Sequence, residues 1–268
     1  MRAAMKQVPG AAGVVPPPAD HVVVKGLSKG FAGQPLYADF DLTLTRGSFV
    51  SVFGPNGCGK STLINMISGI LPMDRGSVLF DGRPVSETRI GYVFQNYREA
   101  VFPWLRAIDN IRYPLKFLPL SKAEREARVE ALLASFDVKL DLNRYPYEMS
   151  GGQQQLVSIM RALVVDPEVL FLDEPFSALD YEMTLFLRDR LQHVLEGRGV
   201  TSLLVSHDLD EAVFMADEVL LLTKRPTTVA ARIAFDAPRP RTADTTVTAD
   251  FVRVKAECLE IFQREVRR

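Results

Sequence analysis

The chain has 268 residues, 47% of them hydrophobic and 24% charged, the proportions of an ordinary folded protein with an ample core. Lys and Arg total 32 against 33 Asp and Glu, a net charge of −1, which excludes a nucleic-acid binder driven by bulk positive charge. The two cysteines, Cys58 and Cys258, build neither a disulfide framework nor a metal quartet, and no apolar run reaches the roughly 18 residues of a membrane span.

Residues 1–19 are rich in Pro, Gly and small side chains and predict a disordered arm. They contain no apolar core of signal-peptide length, so secretion is not expected. From His21 the pattern turns β-like, with short runs at His21 to Val24, Leu42 to Leu44 and Ser48 to Phe53. A Gly-rich turn then leads into a helix-like stretch from Ser61 to Ile70. Val78 to Phe80 and Ile90 to Phe94 read as further strands. Residues 121–136 carry strong helix formers behind a capping box, Ser121 with Glu124. Ser150 to Val164 is a second helix, closed by Asp166-Pro167. Strands return at Val169 to Leu172, Thr201 to Val205 and Glu218 to Leu222. Helices are expected between them at Tyr181 to Glu196 and Leu209 to Met215, and a last one over about Ala249 to Phe262. Strands alternating with helices predict an α/β sheet with crossovers, interrupted by a helical insertion over about 96–165.

The strongest chemical signal is Gly54-Pro55-Asn56-Gly57-Cys58-Gly59-Lys60-Ser61, a G-x-x-x-x-G-K-S run between a strand and a helix. Glycines let backbone N–H groups turn inward around phosphate oxygens, and the helix presents its positive end to the same anion. Lys60 is placed to reach the outer phosphates, and the Ser61 hydroxyl to ligate Mg²⁺. A second signal is the apolar strand Val169 to Leu172 running into Asp173-Glu174. Strand ends at the carboxyl edge of such a sheet are where ligands bind. Asp173 suits the metal and Glu174 the polarisation of an attacking water.

Between these two lies Met149-Ser150-Gly151-Gly152-Gln153-Gln154-Gln155, followed by Arg161-Ala162-Leu163 and Asp166-Pro167. Here the sequence resembles the ATP-binding subunits of ATP-binding-cassette (ABC) transporters, whose signature reads L-S-G-G-Q; Met149 is a volume-conserving substitute for the Leu. The resemblance covers about residues 21–230. It implies a P-loop NTPase (RecA-like) core with an antiparallel β subdomain and the inserted helical subdomain, in a domain over 20–230, followed by a short tail with a helix over 231–268. It implies ATP and Mg²⁺ as ligands. Gly54 through Ser61, with Thr62, would cradle the phosphates, and Ser61, Asp173 and Gln95 would meet the metal. Glu174, His207, Gln95 and Lys60 would carry the catalysis. Ser150, Gly151, Gly152 and Gln153 would face the ATP held by a second protomer, with Asp180, in Ser177-Ala-Leu-Asp180, at the dimer interface. Phe31 would stack on adenine, with Tyr37 as the competing candidate. Leu156 stands where members of the family often carry Arg, which predicts an altered surface contact. His21 and His193 have no such context and read as surface residues. Cys58, inside the loop, predicts that a thiol alkylator blocks turnover and that ATP protects.

Phe102-Pro103-Trp104 after Gln95, and the Pro- and Arg-rich stretch around Pro238-Arg239-Pro240-Arg241, resemble importers of the nitrate, sulfonate and taurine group. That implies a chain on the cytoplasmic face of the inner membrane, energising uptake of a small anion. Its partners would be a second copy of itself, transmembrane permease subunits and, through them, a periplasmic or lipoprotein substrate-binding protein, with no nucleic acid. Trp104 reads equally well as a packed loop aromatic or as part of a groove for a permease helix. The alternatives are a cassette of an exporter or lipid-trafficking complex, or a cassette with no transport role.

Overall fold

The computed structural model describes residues 19–267 except residues 138 and 178 and the side chain of residue 99, so the arm expected over 1–19 lies outside the described residues apart from Ala19. The chain opens with a hairpin of β1 (Asp20–Phe31) and β2 (Gln34–Thr45), both longer than their apolar runs suggest. β3 (Phe49–Phe53) leads through the Gly-rich loop into α1 (Lys60–Ile67). Next come β4 (Arg75–Phe80) and β5 (Ile90–Val93). Four helices follow: α2 (Tyr97–Ala100), α3 (Ala107–Arg112), α4 (Lys122–Ser135) and α5 (Gly151–Leu163). The remainder is β6 (Val169–Asp173), α6 (Tyr181–Leu195), β7 (Thr201–Val205), α7 (Leu209–Met215), β8 (Glu218–Leu222), β9 (Val229–Ala234) and α8 (Ala249–Arg267).

The strands form two sheets, an antiparallel one in the order β2-β1-β4 and a six-stranded one in the order β5-β6-β7-β3-β8-β9. In the larger sheet β5, β6, β7, β3 and β8 are mutually parallel and β9 pairs antiparallel with β8. This is the expected α/β class, with an antiparallel sheet and a helical insertion beside the parallel core.

The central strands are buried on both faces, which is why they read as unbroken apolar runs rather than as alternation. The period of two still sorts their side chains. Leu170, Leu172, Leu204, Val219 and Leu221 join one core, with α5, α6, α7 and α8. Val169, Phe171, Leu203, Val205, Val50 and Val52 join the other, under α1 and the antiparallel sheet. Ser121 and Glu124 form the expected capping box on α4, with Glu124 N–H donating to Ser121 Oγ at 3.3 Å and Ser121 N–H to Glu124 Oε2 at 2.7 Å.

The C-terminal region is more tightly built in than a tail. β9 runs across the boundary expected at 230, and α8 extends five residues past Phe262. Phe251, Val254 and Cys258 of α8 lie in the main core, and Phe262 meets the ring of Phe53, the last residue of β3, at 5.0 Å between centroids.

Candidate active site

Because the five strands run parallel, their carboxyl ends emerge along one edge. Gly54 follows β3, Gln95 lies just beyond β5, Asp173 ends β6, and His207 lies just beyond β7. The chain order of these residues is scrambled in space into one row, and that row is the site.

The loop from Gly54 to Gly59 needs its glycines. Gly57 and Gly59 sit at φ 75° and 100°, in the left-handed region. A Cβ on Gly59 would stand 2.9 Å from Leu36 Cδ2. Gly59 is the N-cap of α1 and places no side chain over the first turn, so no capping oxygen takes those N–H groups. Lys60 is only 8% exposed and folds back over the loop, its Nζ donating to the carbonyls of Gly54 at 2.9 Å and Pro55 at 3.2 Å. The ammonium therefore already sits inside the anion cradle.

Ser61 Oγ donates to Asp173 Oδ1 at 2.9 Å. Burial pushes the Asp173 carboxyl up to about 6, with the neighbouring Glu174 charge adding to it and the Ser61 bond and Lys60 charge opposing. Two hard oxygen donors side by side, one on a carboxyl that lacks a neutralising partner strong enough to offset its burial, form a donor set that fits Mg²⁺.

Glu174 is held in the left-handed region at φ 46°, a backbone that residues other than glycine rarely take and that marks stored strain. Its N–H is fixed on Val205 O at 2.9 Å. Its Oε2 receives Gln95 Nε2 at 2.9 Å and lies 3.2 Å from His207 Nδ1. Two side chains from neighbouring strand ends thus converge on one carboxylate oxygen of a third. The amide nitrogen of Gln95, expected near the metal, goes to Glu174; Gln95 and Asp173 line one cleft of about 660 Å³.

Comparison with known proteins decides the family. Residues 37–177 match the family described as ABC transporter. The chain is 38% identical over 215 residues to the taurine import ATP-binding protein TauB of Escherichia coli, covering 78% of this chain and 82% of that one. The chain belongs to the ABC transporter family. It is also 38% identical over 210 residues to the sulfate/thiosulfate import ATP-binding protein CysA of Neisseria meningitidis serogroup B, covering 75% of this chain. It spans only 58% of the length of that relative. Among solved structures, a dimeric ATP-binding cassette in a post-hydrolysis state with ADP and Pi matches 81% of this chain and all of its own, at 28% identity and a TM-score of 0.70.

The loop Ser150 to Gln153, which resembles the ABC signature, starts α5. Ser150 caps it, accepting Gln153 N–H at 3.4 Å while Gln153 Oε1 accepts Ser150 N–H at 3.0 Å. The loop is packed against its neighbours without slack. A Cβ on Gly151 would fall 2.3 Å from the Tyr97 hydroxyl, and one on Gly152 would fall 2.6 Å from Met183 Cγ. Gln155 Nε2 donates to Pro175 O at 2.5 Å, which ties α5 to the segment after Glu174. Asp180 caps α6 through Met183 N–H at 2.8 Å.

Of the two adenine candidates, Tyr37 is 1% exposed and its hydroxyl is committed to Gly59 O, whereas Phe31 at the hairpin tip is 46% exposed. Only Phe31 has a face free to stack. His193 is half-exposed as expected. His21 is not at the surface: it is fully buried, its Nδ1 2.6 Å from Thr201 Oγ1, because the antiparallel sheet closes over β7 there. Burial lowers its pKa. Leu156 is also no surface residue; at 5% exposure it packs in the main core, where a Leu suits the site. The Cys58 thiol is 1% exposed and burial pushes its pKa up, so the expected reactivity toward an alkylator does not follow.

Some residues of the site carry no motif. Arg225 and Thr227, between β8 and β9, bond the Gly-rich loop. Buried Asn110 knots the Phe102–Trp104 turn, its amide meeting the backbone of Phe102, Leu105 and Arg106.

Proposed function

We propose that this chain binds and hydrolyses MgATP as the energising subunit of an importer. The observation that carries the reading is the meeting of Gln95, Glu174 and His207 beside the Lys60 cradle. Lys60 and the N–H groups at the start of α1 bind the outer phosphates. Ser61 and Asp173 would hold Mg²⁺, which supplies neutralisation of phosphate charge when bound. Glu174 takes a proton from the attacking water, and Gln95 and His207 fix the direction of its carboxylate. Phe31 stacks on the base.

Ser150 to Gln153 serve the ATP of a second copy, in a head-to-tail dimer, with Asp180 at the seam; the dimeric state of the similar solved cassette supports this. The cleft lined by Tyr92, Gln95, Phe102, Tyr113, Phe117 and Arg161 is the seat for a permease helix. Trp104, 70% exposed beside the Phe102 ring, flanks it, which favours the groove reading of that residue. No helix among the described residues is long and apolar enough to cross a membrane. The likeness to TauB over most of both chains, together with Phe102-Pro103-Trp104, favours a small anion such as taurine, a sulfonate or nitrate, delivered to the permease by a separate binding protein.

The test is Glu174→Gln. Nucleotide binding should persist while turnover falls by at least about 10²-fold, and cells carrying the variant should lose uptake of one of labelled taurine, an alkanesulfonate or nitrate. Turnover close to that of the unaltered protein would remove Glu174 from the chemistry.

A further inference from the structure

Three consecutive carbonyls of the phosphate loop are each held from outside by a different side chain. Gly57 O accepts from Arg225 Nε at 2.7 Å, Cys58 O from Thr227 Oγ1 at 2.6 Å, and Gly59 O from the Tyr37 hydroxyl at 3.0 Å. None of the three donors belongs to the loop: Tyr37 lies in β2, and Arg225 and Thr227 lie between β8 and β9. Those two segments are themselves joined, since Thr227 N–H donates to Leu36 O at 2.8 Å. Thr227 is fully buried and Tyr37 is 1% exposed, so their two bonds are largely shielded from water, whereas the Arg225 bond lies at the surface. Leu36, from the same strand, fills the space beside Gly59 that a Cβ would need.

We propose that Arg225, Thr227 and Tyr37 form a clamp that sets the phosphate loop for nucleotide before nucleotide arrives, an inference that rests on the phosphate-binding reading of the loop. The physical reason is the planarity of the peptide. In a trans peptide the carbonyl of one residue and the N–H of the next point in opposite directions. A carbonyl drawn outward at Cys58 therefore turns the N–H of Gly59 to the opposite side of the chain. At Gly59 the carbonyl is aimed jointly by Tyr37 and by the first bond of α1, from Leu63 N–H at 2.8 Å, and this plane turns the N–H of Lys60. The first plane, Gly57–Cys58, is fixed at both ends, since Cys58 N–H donates to Pro55 O at 3.3 Å. Glycine-rich loops have many backbone states, and without such restraints binding would have to select one of them. The clamp residues are positioning residues: they hold the loop and do not touch the phosphates.

The variants are Thr227→Val, which keeps the shape and removes the hydroxyl, and Arg225→Ala, at an exposed side chain whose loss spares the core. If either leaves the loop correctly set one-tenth of the time, apparent affinity falls about tenfold, because affinity scales with the competent fraction. The expected result is a Kd for ADP and for a non-hydrolysable ATP analogue raised about tenfold. KM for ATP should rise in step with kcat little changed, since ground and transition states lose the same binding. Thr227→Ser, which restores the hydroxyl, should return both to near the original values. Each variant should also show a smaller rise in Tm on adding nucleotide, a readout that a merely structural role leaves intact. Should Thr227→Val fail to fold, Arg225→Ala decides the matter alone. Lys60→Ala is run beside them. If it binds nucleotide weakly while the two variants bind as the unaltered protein does, the clamp is refuted and the phosphate loop stands. If Lys60→Ala also binds normally, the phosphate-loop reading falls and the clamp with it.

Discussion

Glu211 is a buried acid beside the loop that carries His207, and replacing it by Gln should stabilise the protein at high pH. The residue is 7% exposed. Its Oε2 is in close contact with Ser206 Oγ. That hydroxyl also lies 3.1 Å from the Asp208 carbonyl oxygen and accepts Asp208 N–H at 3.0 Å. A hydroxyl has one proton. When Ser206 gives it to Asp208 O, the contact with Glu211 needs a proton from the carboxyl itself. Burial, with a smaller contribution from the Asp208 charge, pushes the Glu211 carboxyl up from 4.5 to about 7, against the Ser206 bond and the charges of Arg188 and His207. The folded protein thus holds this proton more tightly than the unfolded chain. Its contribution to stability is fully present below pH 4.5 and is lost as pH rises toward 7. At about 1.4 kcal/mol per pH unit, the loss is about 3 kcal/mol. Gln mimics the protonated acid at every pH. Denaturant unfolding of the two proteins should nearly coincide at pH 4, differ by about 1 kcal/mol at pH 5, and at pH 8 the variant should be more stable by about 3 kcal/mol. Equal stability at pH 8, or a less stable variant, would refute the assignment of Glu211 as a neutral buried acid.

Two further outcomes follow from the packing. Cys58 and Cys258 are both buried, the latter pushed up to about 12 by burial and the Glu257 charge. A chromogenic disulfide reagent should therefore find both thiols unreactive over minutes in the native protein and release both in denaturant; rapid reaction of one native thiol would contradict the burial of the loop. Gly151→Ala should cost about 1–3 kcal/mol through overlap with the Tyr97 hydroxyl. Adding Tyr97→Phe, which removes the clashing oxygen, should recover much of that cost in a double-mutant cycle, and strictly additive effects would show that the two do not press on each other.

The sequence by itself determined whatever depends on residues close together in the chain. The strand–loop–helix around Gly54 to Ser61, the capping box at Ser121, the helix beginning at Ser150, and the apolar runs of the parallel strands are local statements, because backbone propensity, capping and burial on two faces are written in consecutive residues. They sufficed for the α/β class and for Lys60, Asp173, Glu174 and the signature loop as candidates. Tertiary structure decided what depends on which distant strands become neighbours. It put Gln95 and His207 on the same oxygen of Glu174, because β5, β6 and β7 are adjacent and end at one edge. It buried His21, Tyr37 and Leu156, whose chemistry gives no sign of the surfaces that close over them. It drew Arg225 and Thr227 to the phosphate loop from the far end of the domain, since β8 lies beside β3. A hydrogen bond across more than 160 residues leaves no periodicity in either segment, and only the sheet order brings its two ends together.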